Sequence, residues 1–123
     1  YKNESKIHFR GWLSGQHNLA VLRQNARLYF HGHSVGGTNP SLLEAMAAGA
    51  FIAAHDNVFN RYVLQKNALY FENADQVKSL VENLPALEKS RTSFAEENIR
   101  QIKEKYNWDK ITAEYLALFR KFT

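Results

Sequence analysis

The chain has 123 residues, of which 16 are Lys or Arg and 12 are Asp or Glu, so its formal net charge is +4. Its length and its 45% hydrophobic content indicate one globular domain and argue against a disordered or coiled-coil chain. The absence of cysteine excludes disulfide bonds, a thiolate zinc site and a cysteine nucleophile. Because the small excess of basic residues is scattered along the chain, we expect no nucleic-acid partner.

Short apolar runs alternate with amphipathic segments along the chain. Strands are predicted at residues 7–9, 27–31, 50–54 and 68–71, and helices at residues 16–26, 40–49, 73–84, 95–106 and 108–122. Ser14 is the predicted N-cap of the first helix, and Gly49 is the predicted C-terminal stop of the second. Asn73, with Gln76 three residues later, predicts a capping box.

Continuously apolar strands between amphipathic helices are typical of a parallel sheet that is covered by helices on both faces. The predicted fold is therefore α/β, with a partial doubly wound (Rossmann-like) parallel sheet and C-terminal helices. Four short strands are fewer than the five or six of a complete doubly wound unit. Since the chain also begins at Tyr1 rather than Met, we expect residues 1–123 to be an N-terminally truncated domain.

The loop after the second predicted strand, residues 32–40, is the main candidate for a binding site. In open parallel sheets, ligands bind beyond the carboxyl ends of the strands. The adjacent Gly36 and Gly37 allow a ligand to approach the backbone closely, and the helix that begins at Pro40 offers free N–H groups and a partial positive charge to a phosphate. Because many strand–helix turns carry glycines, an ordinary turn stays open as the alternative.

Glu44, in the first turns of that helix, has two interpretations. Its carboxylate could accept both hydroxyls of a ribose whose phosphates lie at the helix end. Alternatively, Ser41 and Glu44 match a capping box, in which the glutamate reaches back to a backbone N–H. Pro40 at the first helical position would instead make Asn39 the cap and leave the carboxylate free.

Residues 35–49 read VGGTNPSLLEAMAAG and resemble the E-G-x-x-x-x-L-L-E-A-M-A-x-G block of retaining GT-B glycosyltransferases of family four. Residues 8–12 resemble the F-x-G segment that precedes a helix in these enzymes, and residues 67–75 and the last helix are similar as well. The resemblance therefore covers nearly the whole chain. The sequence of residues 33–41 most resembles that of bacterial rhamnosyltransferases of surface-polysaccharide assembly.

The resemblance implies a GT-B C-terminal domain, which is the part that binds the nucleotide-sugar donor. It implies donor-binding roles for His33, Ser34, Gly36, Gly37, Thr38, Ser41, Leu42 and Glu44. Among these, Glu44 would hold the ribose, the two glycines would line the diphosphate and sugar pocket, and the N–H groups of Ser41 and Leu42 would face phosphate. The base would lie near residues 9–12, and no catalytic residue is identified.

The implied reaction is transfer of a hexosyl group, with rhamnose as the first choice, from a dTDP- or UDP-linked donor to a glycan or lipid-linked acceptor. The resemblance implies no cofactor and no metal, and a cytoplasmic enzyme that is peripheral at the inner face of the membrane. The family's first Glu falls at Gly36, so a carboxylate that usually binds donor-sugar hydroxyls is missing, which is compatible with a 6-deoxy sugar. The family's Arg and Lys that neutralise the leaving diphosphate belong to a segment upstream of Tyr1, so we expect the chain alone to be inactive and the N-terminal domain to be its partner.

Other interpretations stay open. A GT-B-type sugar-nucleotide epimerase and a non-catalytic binding or scaffold module are the alternative functions. His31 and His33 could hold a metal, although no third ligand lies nearby in the sequence. Residues 55–56 could be an acid–base pair or ordinary turn residues, and residues 60–61 could touch the donor or be a solvated surface pair. Aromatic residues in the last helix predict an apolar strip through which the chain self-associates.

Overall fold

A computed structural model describes residues 4–122. Three parallel strands form one sheet in the order β1-β2-β3, at Tyr29–His31, Ile52–His55 and Leu69–Phe71. The helices in this part of the chain are α1 (Gln16–Asn25), α2 (Pro40–Ala47), α3 (Val58–Leu64), α4 (Ala74–Glu82), α5 (Leu84–Leu87), α6 (Arg91–Lys105) and α7 (Trp108–Phe119), with a 3-10 turn at Glu88–Ser90. The predicted α/β class with a parallel sheet is confirmed.

Each neighbouring pair of strands is joined by a helix, α2 between β1 and β2 and α3 between β2 and β3. Tyr29 pairs with Ile52, and Ala53 pairs with Leu69, so the three strands run in one direction and in close register. The carboxyl ends of the strands therefore meet at one edge of the sheet. The loops that lead into α2 and α3 both begin there, which places them side by side.

The core lies between the sheet and the two connecting helices. Its members share almost complete burial and small or aliphatic side chains: Leu42, Ala45, Met46, Ala50, Ile52, Ala54, Val63, Leu64 and Ala68. Alanines in both helix and strand allow the backbones to approach closely, and burial of each large aliphatic side chain contributes about 1.5–3 kcal/mol. This packing fixes α2 against the strand ends.

Local signals define both ends of α2. The Asn39 side chain caps the helix and Pro40 occupies its first turn. At the other end Gly49 has φ +71°, its N–H donates to the Met46 carbonyl over 3.0 Å, and the Ala50 N–H donates to the Ala45 carbonyl over 3.0 Å. This is the glycine-terminated end that the sequence predicts.

Helix α6 packs against the end of the sheet opposite these loops. Phe94 contacts Phe51, just before β2, with ring centroids 6.2 Å apart. Asn98 donates to the Asn67 carbonyl, just before β3, over 3.0 Å. Arg91 donates to carbonyls of residues 24, 26 and 27, just before β1. One helix therefore joins the beginnings of all three strands.

Two predictions at the N-terminal side are wrong. Residues 7–9 form no strand, because no segment among residues 4–122 pairs with them and a strand needs a neighbour for its backbone hydrogen bonds. Ser14 is not a cap either; Gly15 holds the N-cap position of α1 at φ +93°, and no side chain caps this helix. By contrast, Asn73 caps α4 by accepting from the Gln76 N–H over 3.0 Å, as predicted. The Gln76 side chain accepts from the Glu72 N–H over 2.7 Å, and not from the Asn73 N–H that a capping box uses.

The aromatic side chains of the last helix are largely exposed. Trp108, Tyr115, Phe119 and Phe122 each expose more than half of their surface. The strip that the sequence predicts is thus present, and self-association through it stays a prediction. No helix among the described residues is both long enough and apolar enough to cross a membrane.

Replacing Gly49 by Ala should lower the free energy of unfolding by about 1–2 kcal/mol, because a side chain is strained at this positive φ. The added Cβ would also meet the Ile99 Cδ1 at 3.4 Å. Gly32→Ala is the matched control, since its Cβ meets nothing within 4 Å. Urea unfolding checks both variants, and equal stability of the two would contradict the role of Gly49.

Candidate functional site

A cavity of about 110 Å³ opens at the carboxyl ends of β1 and β2, where α2 and α3 begin. We call it the loop cavity. It is lined by His31, His33, Val35, Gly36, Gly37, Thr38, Asn39, Pro40, Asn57, Phe59 and Asn60. The structure thus brings four predicted donor-binding residues, His33, Gly36, Gly37 and Thr38, to one opening.

Two asparagines of the β2–α3 region hold the loop in place. Asn60 is buried, and its side-chain N–H₂ donates to the carbonyls of His33 (3.1 Å) and His55 (2.8 Å). The Asn57 side chain also donates to the His33 carbonyl, over 3.0 Å. Asn60 is therefore a buried link between two loops and not part of a solvated surface pair.

The Arg61 side chain does not line the loop cavity. Its guanidinium makes two hydrogen bonds of 2.7 and 2.6 Å to the Asp56 carboxylate and lies 3.8 Å from the centre of the Tyr70 ring. These hydrogen bonds lower the pKa of Asp56, so this carboxylate stays ionised near neutral pH. The structure therefore favours an ion-pair role for Asp56 over an acid–base pair with His55.

The cap of α2 uses the backbone donors that the sequence assigns to phosphate. Asn39 Oδ1 accepts from the Ser41 N–H (3.0 Å) and the Ser41 hydroxyl (2.8 Å), and the Asn39 carbonyl accepts from the Leu42 N–H (3.0 Å). Ser41 and Leu42 can face phosphate only if these bonds give way, so their role stays a prediction. No hydrogen bond among the described residues uses the N–H groups of residues 36–39.

The glycine pair keeps this part of the loop open. Gly36 has φ +115°, a backbone conformation that residues other than glycine rarely adopt. A Cβ at Gly36 or Gly37 would meet nothing within 4 Å, so the space beside both residues is free for a ligand. Ser34 is exposed but does not line the loop cavity.

Glu44 does not form a capping box. Its Oε2 accepts from Arg23 Nη1 of α1 over 2.7 Å, and the carboxylate is 47% exposed. Both residues line a second cavity of about 230 Å³ between α1 and α2, which we call the helix cavity. Sequence reasoning missed Arg23, because an ion pair between positions 21 residues apart has no local signal.

A third opening adjoins the loop cavity and shares Gly37, Thr38 and Phe59 with it. We call it the apolar cavity; it measures about 220 Å³ and is completed by Val58, Tyr62 and Val63. The exposed aromatic rings on α3 give it an apolar character. Sequence reasoning assigned Gly37 and Thr38 to the donor site, but it assigned none of the four α3 residues of this cavity, Val58, Phe59, Tyr62 and Val63, to a site.

His31 and His33 stack at the end of β1, with ring centroids 4.7 Å apart and an angle of 23° between planes. Burial of His31, together with the nearby charge on His33, lowers the pKa of His31. Within residues 4–122 no group of three His, Cys, Asp or Glu is placed to hold a metal ion.

Residues 1–117 match the model of the glycosyl transferase-like family. The chain belongs to this family. No curated protein and no solved structure matches it. The chain is therefore a glycosyltransferase domain whose general activity is glycosyl transfer, with a sugar donor and an acceptor as its substrates.

Two substitutions of Asn39 distinguish its effect on the stability of the domain from its effect on anion binding in the loop cavity. Asn39→Ala removes the cap and should lower the free energy of unfolding by about 1 kcal/mol. Asn39→Asp keeps a capping oxygen, so its stability should stay close to that of the parent, but its negative charge should repel an anion. We expect Asn39→Asp to weaken pyrophosphate binding more than Asn39→Ala does. Calorimetric titration checks this, and unchanged affinity in Asn39→Asp would contradict an anion site.

Proposed function

We propose that the chain is the donor-binding domain of a retaining hexosyltransferase and that it holds the diphosphate of a nucleotide sugar in the loop cavity. The observation that carries the proposal is the run of unused N–H groups at residues 36–39, set at the start of α2 one turn before Glu44. Backbone donors and the positive end of a helix are suited to phosphate. No acidic residue lines the loop cavity.

Glu44 is the proposed ribose ligand. Its Oε2 is held by Arg23, whereas no hydrogen bond in the described part of the chain uses its Oε1. The Arg23 side chain is only 14% exposed, so it fixes the carboxylate at the rim of the helix cavity. One held and one free oxygen allow the carboxylate to accept from ribose hydroxyls while the base enters the helix cavity.

The apolar cavity is the proposed position of the donor sugar. Phe59 and Tyr62 form its wall, and Gly36 supplies no carboxylate for sugar hydroxyls. These features suit a 6-deoxy hexose, whose methyl group can pack on aromatic rings. Rhamnose linked to dTDP or UDP is therefore the proposed donor, and a glycan or lipid-linked acceptor in bacterial surface-polysaccharide or capsule assembly is the proposed partner.

The proposed chemistry is positioning of the anomeric carbon and stabilisation of the departing nucleoside diphosphate. The amides of residues 36–39 stabilise that charge, but no Lys or Arg is among the described residues that line the loop cavity. We propose that cations from an N-terminal domain complete the site and that the 123-residue chain alone does not turn over. Such an enzyme would act in the cytoplasm, peripheral at the inner face of the membrane.

Glu44→Gln should weaken UDP and dTDP binding about tenfold, the effect of losing a charge-assisted hydrogen bond, and should leave binding of inorganic pyrophosphate unchanged. Pyrophosphate has no ribose and so serves as the internal control. Glu82→Gln is the matched variant, because Glu82 is exposed on α4 and its ion pair within residues 4–122 is a 3.9 Å contact with Lys78. Calorimetric titration measures all three ligands.

The double variant Arg23→Gln/Glu44→Gln controls for the unpaired guanidinium that Glu44→Gln leaves behind. If the carboxylate binds ribose, the double variant should also bind UDP weakly. Equal losses for UDP and pyrophosphate would contradict the ribose assignment. A folded chain with no affinity for any of the three ligands would favour the scaffold module.

A further inference from the structure

His31 has a buried polar atom that the fold does not satisfy. The side chain lines the loop cavity and is only 1% exposed. Its Nε2 has no hydrogen-bond partner among residues 4–122. Buried polar atoms are nearly always hydrogen-bonded, so an orphaned nitrogen on a residue that lines a cavity points to a partner that enters that cavity. Because Nε2 is itself enclosed, the ring must shift for such a partner to reach it.

Among the described residues, the neighbouring side chains do not supply this partner. His33 lies nearly face to face with His31, whereas an imidazole nitrogen forms its hydrogen bonds in the plane of its own ring. Asn57 and Asn60 direct their amide groups to the His33 carbonyl. A molecule that enters the loop cavity can therefore supply the missing partner.

The other groups around the cavity determine the charge of that molecule. The N–H groups of residues 36–39 are donors, α2 begins here, and no Asp or Glu is among the lining residues. These features call for an acceptor-rich anion. A neutral imidazole still carries one N–H, which can donate to such an anion.

We infer that His31 Nε2 donates a hydrogen bond to a phosphoryl oxygen bound in the loop cavity, so that a side chain joins the backbone amides in holding the diphosphate. This inference rests on the proposed function, since it concerns the same ligand. In the empty cavity, burial and the charge on His33 lower the pKa of His31 and favour the neutral ring. An anion beside Nε2 stabilises a proton on that nitrogen, so binding raises the pKa of His31 and favours the ring forms that carry a proton on Nε2.

The test is a titration of the chain with inorganic pyrophosphate, followed by NMR on the His31 ring nitrogens and on the Gly36 and Gly37 amides. We expect both sets of signals to shift with the same Kd. His31→Phe keeps the ring volume and should lose about tenfold in affinity or more. His31→Gln, which offers an N–H at a similar reach, should retain much of it. His17→Phe, an exposed substitution on α1, is the control and should bind like the parent.

Three results would count against the inference. If the glycine amides shift but the His31 ring does not, and His31→Phe binds normally, the inference fails while the proposed function stands. If the ring responds to UDP-glucose but not to pyrophosphate, Nε2 binds the sugar or nucleoside and not a phosphoryl oxygen. If neither ring nor amides respond at millimolar pyrophosphate, the proposed function itself fails. Should His31→Phe not fold, the ring titration of the parent chain decides alone.

Discussion

The buried amide of Asn60 is the interaction on which the site depends. It donates to the His33 carbonyl, two residues beyond β1, and to the His55 carbonyl at the end of β2, and so joins the two segments that border the cavity. Parallel pairing brings these strand ends together, but pairing alone does not fix the loops beyond them. Because the amide is buried, loss of either carbonyl would leave a polar group without a partner. The buried Asn60, with Asn57 donating to the same His33 carbonyl, therefore ties the loop after β1 to the β2–α3 region.

This anchoring holds the start of the loop that carries the unused N–H groups. The glycines leave the space beside residues 36–37 open, and the cap formed by Asn39 satisfies the first turn of α2, so the unused donors lie ahead of the helix rather than in it. Fixed dipoles stabilise charge without reorganising when it develops. Under the proposed function, these backbone donors would hold the pyrophosphate, with Glu44 further along α2 and the His31 ring among the lining residues.

Local signals made much of the fold predictable from sequence. Asn39, Pro40 and Gly49 fix the ends of α2 through contacts within a few residues, and the glycine loop follows a strand, so both the helix and the cavity could be anticipated. The strand prediction at residues 7–9 is wrong because apolar residues alone do not make a strand. A strand also needs a neighbouring strand for its backbone hydrogen bonds. The Asn60 link spans 27 residues and the Arg23–Glu44 pair spans 21, so neither has a signal in local spacing.

Burial explains the remaining differences between what the sequence indicates and what the structure shows. The phosphate role of the Leu42 N–H stays a prediction; in the structure this N–H donates to the Asn39 carbonyl, and the Leu42 side chain belongs to the core. His31 could be placed at a strand end, yet only the packed structure shows that its ring is enclosed and its Nε2 unpaired. Residues whose role follows from the packing of distant segments are those that sequence reasoning missed.

A crystal structure of the chain with dTDP-rhamnose tests the central claim most directly. The account predicts the diphosphate in the loop cavity, with phosphoryl oxygens about 3 Å from the N–H groups of residues 36–39 and the ribose at Glu44. A well-ordered nucleotide sugar bound elsewhere, with the loop cavity empty, would contradict it.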